Sequence, residues 1–421
     1  MGMTGLAAIV AVVALAALGM PVAVSLTVVG LAGLALTGGL GPAGGAVLGL
    51  LGNPDVVLVP LVLLLGNIAF YAGFATRVHD ASVVMLQGRR GGLAAAAILG
   101  CAGFSAAAGA SVGSAATLSR IAVPDMLRAG YDPRLAGASV AMGTTLGALL
   151  PPSMLLIVWG LLSDTPVGAM FLAGLGPALL SLTGMMAVLW WWTRHDPRAA
   201  PLPEPVAIRP AAALRAVWSA PVLFAILVGG IALGLLTAVW AVAICVALSM
   251  ATGLIQHRLT PDSLWTALRD TLRQTATVLA ILIAASLFTA LLDGAGSADD
   301  AAGWIAANLS PLLAIALLGL AGAAVGLAVE PPGILVLILP FALALGEAWG
   351  HDAVWSGIVA IRLVQIAMIL PPVGLTVVVI ATTVRTLSPG TIFAGVARFL
   401  FLDLLILAAL VLFPALTRFP G

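Results

Sequence analysis

The chain has 421 residues, of which 62% are hydrophobic and 8% charged. That balance excludes a soluble globular domain and defines a polytopic, all-α membrane protein. A net charge of +1, with all seventeen basic residues arginine, excludes nucleic acid or any other polyelectrolyte as the main partner.

Apolar runs approaching the ~20-residue bilayer span predict helices over 4–20, 21–38 and 54–75. The first run has no basic leader and is followed at once by another apolar span, so it reads as a membrane helix rather than a signal peptide. The polar stretch 76–90, like 257–272 later, has helical apolar spacing and reads as an interfacial arm, with an ordinary loop as the alternative.

From Gly91 to Ser119 the chain is uncharged, small-residue-rich and flanked by arginines at both ends. A single crossing would place one arginine cluster on each side of the membrane, against the positive-inside rule. Two arms of ~14 residues each reach about 21 Å, past the middle of a ~30 Å core, so a re-entrant hairpin over about 91–126 is expected.

The next span, 135–160, carries Pro151-Pro152 at its centre. A proline lacks an N–H and clashes with the carbonyl four residues back, so the helix breaks and the Gly147 and Ala148 carbonyls lose their partners. Within a bilayer such groups must find protein, water or a bound ion. A helix over 166–193 follows, ending on the triple tryptophan 190–192, which reads as an interfacial anchor.

A proline-rich, charged segment, 194–217, reads as a linker dividing the chain into 1–193 and 218–421. Helices are expected over 218–237, 238–256, 273–293 and 392–416. A second hairpin is expected over about 304–350, turning at Glu330-Pro331-Pro332, and a second broken helix over 353–380, split at Pro371-Pro372. Matching broken helices in the two halves are the best sequence pointer to a carrier's midplane site. The expected fold is therefore two inverted repeats, each with transmembrane helices, a re-entrant hairpin and a proline-broken helix. Cys101 and Cys245 lie in apolar segments and read as packing residues, while His79, His195, His257 and His351 fall in loops or at ends with no metal spacing.

Fourteen arginines, from Arg77 to Arg385, fall in loops on one face of this arrangement, whereas Arg362 and Arg418 fall toward the other. The positive-inside rule then makes the linker cytoplasmic and both termini external.

The chain resembles the large membrane subunit of tripartite ATP-independent periplasmic (TRAP) transporters, of the dicarboxylate and sialic-acid type. The resemblance rests on Gly19-Met20-Pro21, Leu58 to Gly66, Gly109 to Ser111, and Ile121 to Met126 with Gly130-Tyr131-Asp132. It continues through Gly147 to Ser153, Phe171 to Pro177, Pro340, and Pro371 to Leu375. It implies a multi-pass protein of the bacterial inner membrane and an elevator mechanism driven by sodium. It also implies a periplasmic binding protein that delivers a small carboxylate, and a small four-helix membrane subunit. The chain departs from the family pattern at Ala108-Gly109-Ala110, at Ser114 where an acid is common, at Thr237 to Trp240, and at Ala367 to Leu370.

A hard cation takes carbonyl and hydroxyl oxygens. In the first half the expected sodium ligands are Gly147, Thr144 and Thr145, with Ser111 and Ser114 closing the shell; back-bonding of the hydroxyls to helix carbonyls is the alternative. In the second half they are Ala367, Gly374 and Glu330, although the last reads more readily as a solvated or N-capping acid at a turn. A half-helix starting near Ser153 points its unpaired N–H groups at the midplane, where an anionic carboxylate fits. Gly109, Ser111, Pro152, Ser153, Gly374 and Thr376 are the expected substrate contacts. Arg362 either attracts that carboxylate or snorkels to the interface. A stand-alone carrier of related fold is the nearest alternative function. An intramembrane enzyme is disfavoured, because the spans hold almost no ionisable pairs at depth.

Overall fold

The computed structural model describes residues 2–37, 39–108, 111–202, 211, 213, 215, 217–372 and 374–417. Among these residues the regular elements are all helical. The first helices are α1 (Gly2–Ala17), α2 (Val22–Thr37), α3 (Gly41–Gly52) and α4 (Leu58–Tyr71). Gly19, at φ +88°, and Pro21 separate α1 from α2, the first by adopting a left-handed turn and the second by ending amide donation. The short α3 was not expected, because twelve Gly-rich residues fall well below the length of a span.

Next come α5 (Phe74–Leu86), the packed pair α6 (Gly92–Ala108) and α7 (Ser111–Arg128), and then α8 (Pro133–Thr145) and α9 (Met154–Leu162). They are followed by α10 (Val167–Ala173), α11 (Leu175–His195), α12 (Ser219–Ala232) and α13 (Ala238–Ile255). The chain closes with α14 (Pro261–Ala295), α15 (Ser297–Asn308), the packed pair α16 (Pro311–Val325) and α17 (Pro331–Ala348), α18 (Ala353–Ala367), α19 (Leu375–Thr383) and α20 (Pro389–Leu412). Six helices among the described residues are long and apolar enough to cross a membrane.

Several boundaries differ from the sequence reading. The stretch 257–272 is not a separate arm: α14 runs unbroken for 35 residues. A Thr260/Ser263 capping box starts it, Gly296 at φ +62° ends it, and no glycine or proline interrupts residues 262–293. Trp304 lies on α15 rather than in the second helical pair, which begins at Pro311. Pro311 disfavours helix at the residue before it, and Ser310 is accordingly extended, at φ −67° and ψ 150°.

Trp190 and Trp191 are exposed as an anchor requires, but Trp192 is buried, with the Arg398 guanidinium 3.9 Å from its ring centroid. His79 is likewise not in a loop. It is buried on α5, where α6 approaches so closely that a Cβ on Gly100 would lie 3.3 Å from the His79 Cα.

Two apolar cores form, and each interrupted helix bridges them. The core around α2, α4, α13, α14, α17 and α18 includes α9, while the core around α5 to α8, α11 and α20 includes α19. Thus α8 packs on α6 and α7, whereas its continuation α9 packs on α17. Reciprocally, α18 packs on α16 and α17, whereas its continuation α19 packs on α7.

Candidate functional site

Both proline pairs interrupt their helices. The first helix ends at Thr145, tightens into a 3₁₀ turn over Leu146–Ala148, and resumes at Met154. The second ends at Ala367 and resumes at Leu375, with Gly374 at φ +35° before it. The Pro151–Pro152 and Pro371–Pro372 peptides are both cis.

Not all the carbonyls expected to be free are free. Ser153 turns its Oγ back onto the Ala148 carbonyl at 2.7 Å, and the Thr376 amide reaches the Met368 carbonyl at 3.2 Å. Thr144 Oγ1 bonds the Ala141 carbonyl at 2.9 Å and Thr145 Oγ1 bonds that of Met142 at 2.7 Å. These are the back-bonds of the alternative reading, although each hydroxyl oxygen keeps acceptor capacity. Because Ser153 bonds backward, it does not cap α9, and the first-turn amides of that helix have no side-chain partner. The Thr376 hydroxyl is buried and unpartnered among the described residues.

The two interruptions open on one cavity of about 870 Å³. Ser114, Ala148, Ser153, Met154 and Leu155 line it from the first half, and Glu330, Pro331, Met368 and Leu375 from the second. Of the expected site residues, then, Ser114, Ser153 and Glu330 converge. Glu330 is the N-cap residue of α17 but forms no capping hydrogen bond, and its side chain is exposed. Thr144, Thr145, Gly147, Ala367, Gly374 and Thr376 are not among the residues that line it. Pro152 lines a different, apolar cavity of about 280 Å³ with Leu65, Phe74 and Leu223. Ser111 opens α7, while its side chain and Gly109 lie outside the described part of the chain.

Arg362 does not snorkel. It is fully buried, with Nη2 at 2.6 Å from Asp403 Oδ1 and Nη1 at 3.0 Å from Gln365 Oε1. The carboxylate it attracts belongs to the same chain. Gln365 in turn donates to the Thr145 backbone carbonyl at 2.5 Å, tying the second interrupted helix to the first.

Sequence reasoning missed two other features. Ser105 on α6 is buried, its hydroxyl without a partner among the described residues, and it presses so closely on Gly147 that an added Cβ there would lie 2.2 Å from Ser105 Cβ. The cavity lining also carries Asn67 and Tyr71 from α4, with Asp270, Arg273, Gln274 and Thr277 from α14. The i, i+3, i+4, i+7 spacing of the α14 residues is a one-face polar stripe that was available in the sequence. Tyr71 donates to Asp270 Oδ2 at 2.7 Å, and Asn67 Nδ2 donates to Thr271 Oγ1 at 2.9 Å and Gln274 Oε1 at 3.1 Å. No cluster of three or more His, Cys, Asp or Glu side chains among the described residues could hold a metal.

Two interrupted helices lining one cavity, within a polytopic helical bundle, define a membrane carrier rather than an enzyme. The family model "Tripartite ATP-independent periplasmic transporter, DctM component" matches residues 9–416, and the chain belongs to that family as a large permease component. It is 28% identical to the C4-dicarboxylate TRAP transporter large permease protein DctM of Pseudomonas aeruginosa, over 86% of this chain and 85% of that one. It is 27% identical to the sialic acid TRAP transporter large permease protein SiaM of Vibrio cholerae, over 95% and 94%. Among solved structures, the Alcanivorax borkumensis YdaH transporter superposes with a TM-score of 0.59 at 19% identity, covering 88% of this chain and 87% of that one, a likeness of fold.

Proposed function

We propose that the chain imports a small organic acid, a C4-dicarboxylate or a related carboxylate, by sodium-coupled secondary transport. The observation that carries this reading is the shared cavity, which both interrupted helices enter and which the uncapped first turn of α9 lines. Amides at a helix start carry partial positive charge and favour an anion. Relatives named for C4-dicarboxylate, sialic acid and ectoine transport support a carboxylate as the common chemistry.

Sodium is assigned to oxygen ligands around the two interruptions. In the first half these are Thr144, Thr145 and Gly147, with Ser111 and Ser114; in the second they are Ala367, Gly374 and Glu330. The exchange of packing, in which α9 lies on the second helical pair and α19 on the first, supports two inverted repeats over 1–193 and 218–421 joined by the 194–217 linker. In this reading α6–α7 and α16–α17 are re-entrant and move with the interrupted helices as an elevator. The partners are a small four-helix membrane subunit and a periplasmic binding protein. The chain then sits in the bacterial inner membrane with periplasmic termini and a cytoplasmic linker.

The test is uptake of labelled succinate, N-acetylneuraminate and ectoine into proteoliposomes holding the assembled complex, with sodium or potassium outside. Uptake of at least one acid that requires sodium is the expected result. Equal uptake in potassium removes the coupling, and failure to carry any carboxylate removes the substrate class.

A further inference from the structure

The interrupted helices supply one feature of the cavity lining that favours negative charge, the uncapped first turn of α9. Elsewhere in the lining, on α14, Arg273 is the one basic side chain. It is exposed there and has no hydrogen-bond or ion-pair partner for its guanidinium among the described residues.

This lack of a counter-ion is not a consequence of spacing. Asp270 stands three residues earlier on the same helix, within the usual reach of an intrahelical pair. Its carboxylate instead accepts the Tyr71 hydroxyl at 2.7 Å, and Arg273 and Asp270 form no ion pair. Beside them, Asn67 donates to Gln274 Oε1, and the Gln274 Nε2 hydrogens have no acceptor among the described residues. The α4–α14 contact thus turns acceptors toward itself and leaves a guanidinium and an amide donor facing the cavity.

A planar guanidinium beside an amide donor is matched by a carboxylate, which accepts two parallel hydrogen bonds. We infer that Arg273, assisted by Gln274, binds the second carboxylate of a short dianionic acid whose first carboxylate lies at the first turn of α9. This rests on the transport reading for its substrate class but assigns a contact on the α4–α14 wall, which that reading does not use. Monocarboxylates engage only one of these features, so Arg273 is the residue that selects for two charges.

The test is modification of Arg273 by phenylglyoxal in the purified full chain in sodium, followed by mass spectrometry, with succinate or butyrate titrated in. Succinate is expected to slow labelling of Arg273 in a saturable way, by roughly tenfold at a concentration ten times its dissociation constant. Arg128, outside the cavity lining, serves as the control and keeps its rate, and butyrate gives no such protection. Unchanged labelling in succinate overturns the inference, and equal protection by butyrate overturns the assignment to the second carboxylate. A second measurement uses the assembled complex. Arg273→Gln is expected to raise the KM for succinate by about tenfold, equivalent to ~1.4 kcal/mol, with Arg273→Lys in between. Sodium-driven succinate uptake without protection of Arg273 would remove Arg273 and leave the transport reading intact. Protection without uptake would do the reverse.

Discussion

Gln365 donates its side-chain amide to the backbone carbonyl of Thr145 across 2.5 Å, joining the last turn of α18 to the last turn of α8. These residues lie 220 positions apart, one before each proline pair. The bond therefore ties the two interruptions together at the point where each helix stops. Arg362 holds Gln365 from behind and is itself held by Asp403 on α20, so a fully buried ionic chain stands behind the contact.

Because Arg362 and Asp403 are both fully buried, removing either charge leaves the other stranded. Asp403→Asn or Arg362→Met alone should destabilise the protein by about 3–5 kcal/mol, read as thermal unfolding in detergent. Arg362 Nε and Asp403 Oδ2 have no partner among the described residues, so the pair is incompletely satisfied there. The double variant Arg362→Met/Asp403→Leu should recover most of the loss. A double variant no more stable than either single one would refute this account of the pair.

Gln365→Leu should act more narrowly. It leaves the Thr145 carbonyl and one Arg362 N–H group unpaired in the interior, at a cost of about 1–3 kcal/mol. Since Thr145 belongs to the proposed first sodium shell, the sodium concentration giving half-maximal uptake should rise. An unchanged sodium titration would separate Gln365 from the ion.

Gly147 is required by the close approach of α6 to the first interruption. A Cβ at this position would meet Ser105 Cβ at 2.2 Å, so Gly147→Ala should cost about 1–3 kcal/mol through overpacking. Ser105→Gly in the same chain should restore stability by vacating that space. If Gly147→Ala melts like the native protein, the packing assignment is wrong.

Burial holds the His79 imidazole below its ordinary value of 6.5, although Asp80 and Asp125 pull it the other way. The unfolded chain then binds more protons than the folded one just below that value, so stability is complete above pH 6.5 and declines as the pH falls through it. Melting temperature measured from pH 8 to pH 5 should fall more steeply for the native chain than for His79→Gln. Parallel curves would exclude His79 as the source.

Local chemistry made part of this architecture readable from the chain. Two Pro-Pro pairs inside apolar spans announce interruption without any knowledge of tertiary structure, because a missing N–H and a ring clash act within one turn. Ser114 and Glu330, expected at the two hairpin tips, line the same cavity as Ser153 beside the first proline pair. What escaped were pairings made across the fold. The Tyr71–Asp270 and Asn67–Gln274 bonds join helices about 200 residues apart, and no local signal tells Asp270 to prefer Tyr71 over Arg273. Read alone, Arg362 suits either a carboxylate guest or the interface, and no local signal shows that a neighbouring helix supplies Asp403. Trp192 was grouped with its two neighbours, yet helical rotation turns it inward onto Arg398. The α5–α6 contact, which buries His79, depends on a glycine at position 100 that reads in isolation as simply small.

The central claim is that the two interruptions create the transport site. Pro151→Ala/Pro152→Ala should let α8 continue toward α9 and withdraw the free first-turn amides from the cavity. Pro371→Ala/Pro372→Ala should do the same for α18 and α19. Sodium-driven carboxylate uptake by each variant, reconstituted in equal amounts after confirmed membrane insertion, is the decisive measurement. The account predicts uptake no greater than that of empty liposomes for both variants. Native uptake by either one would contradict it.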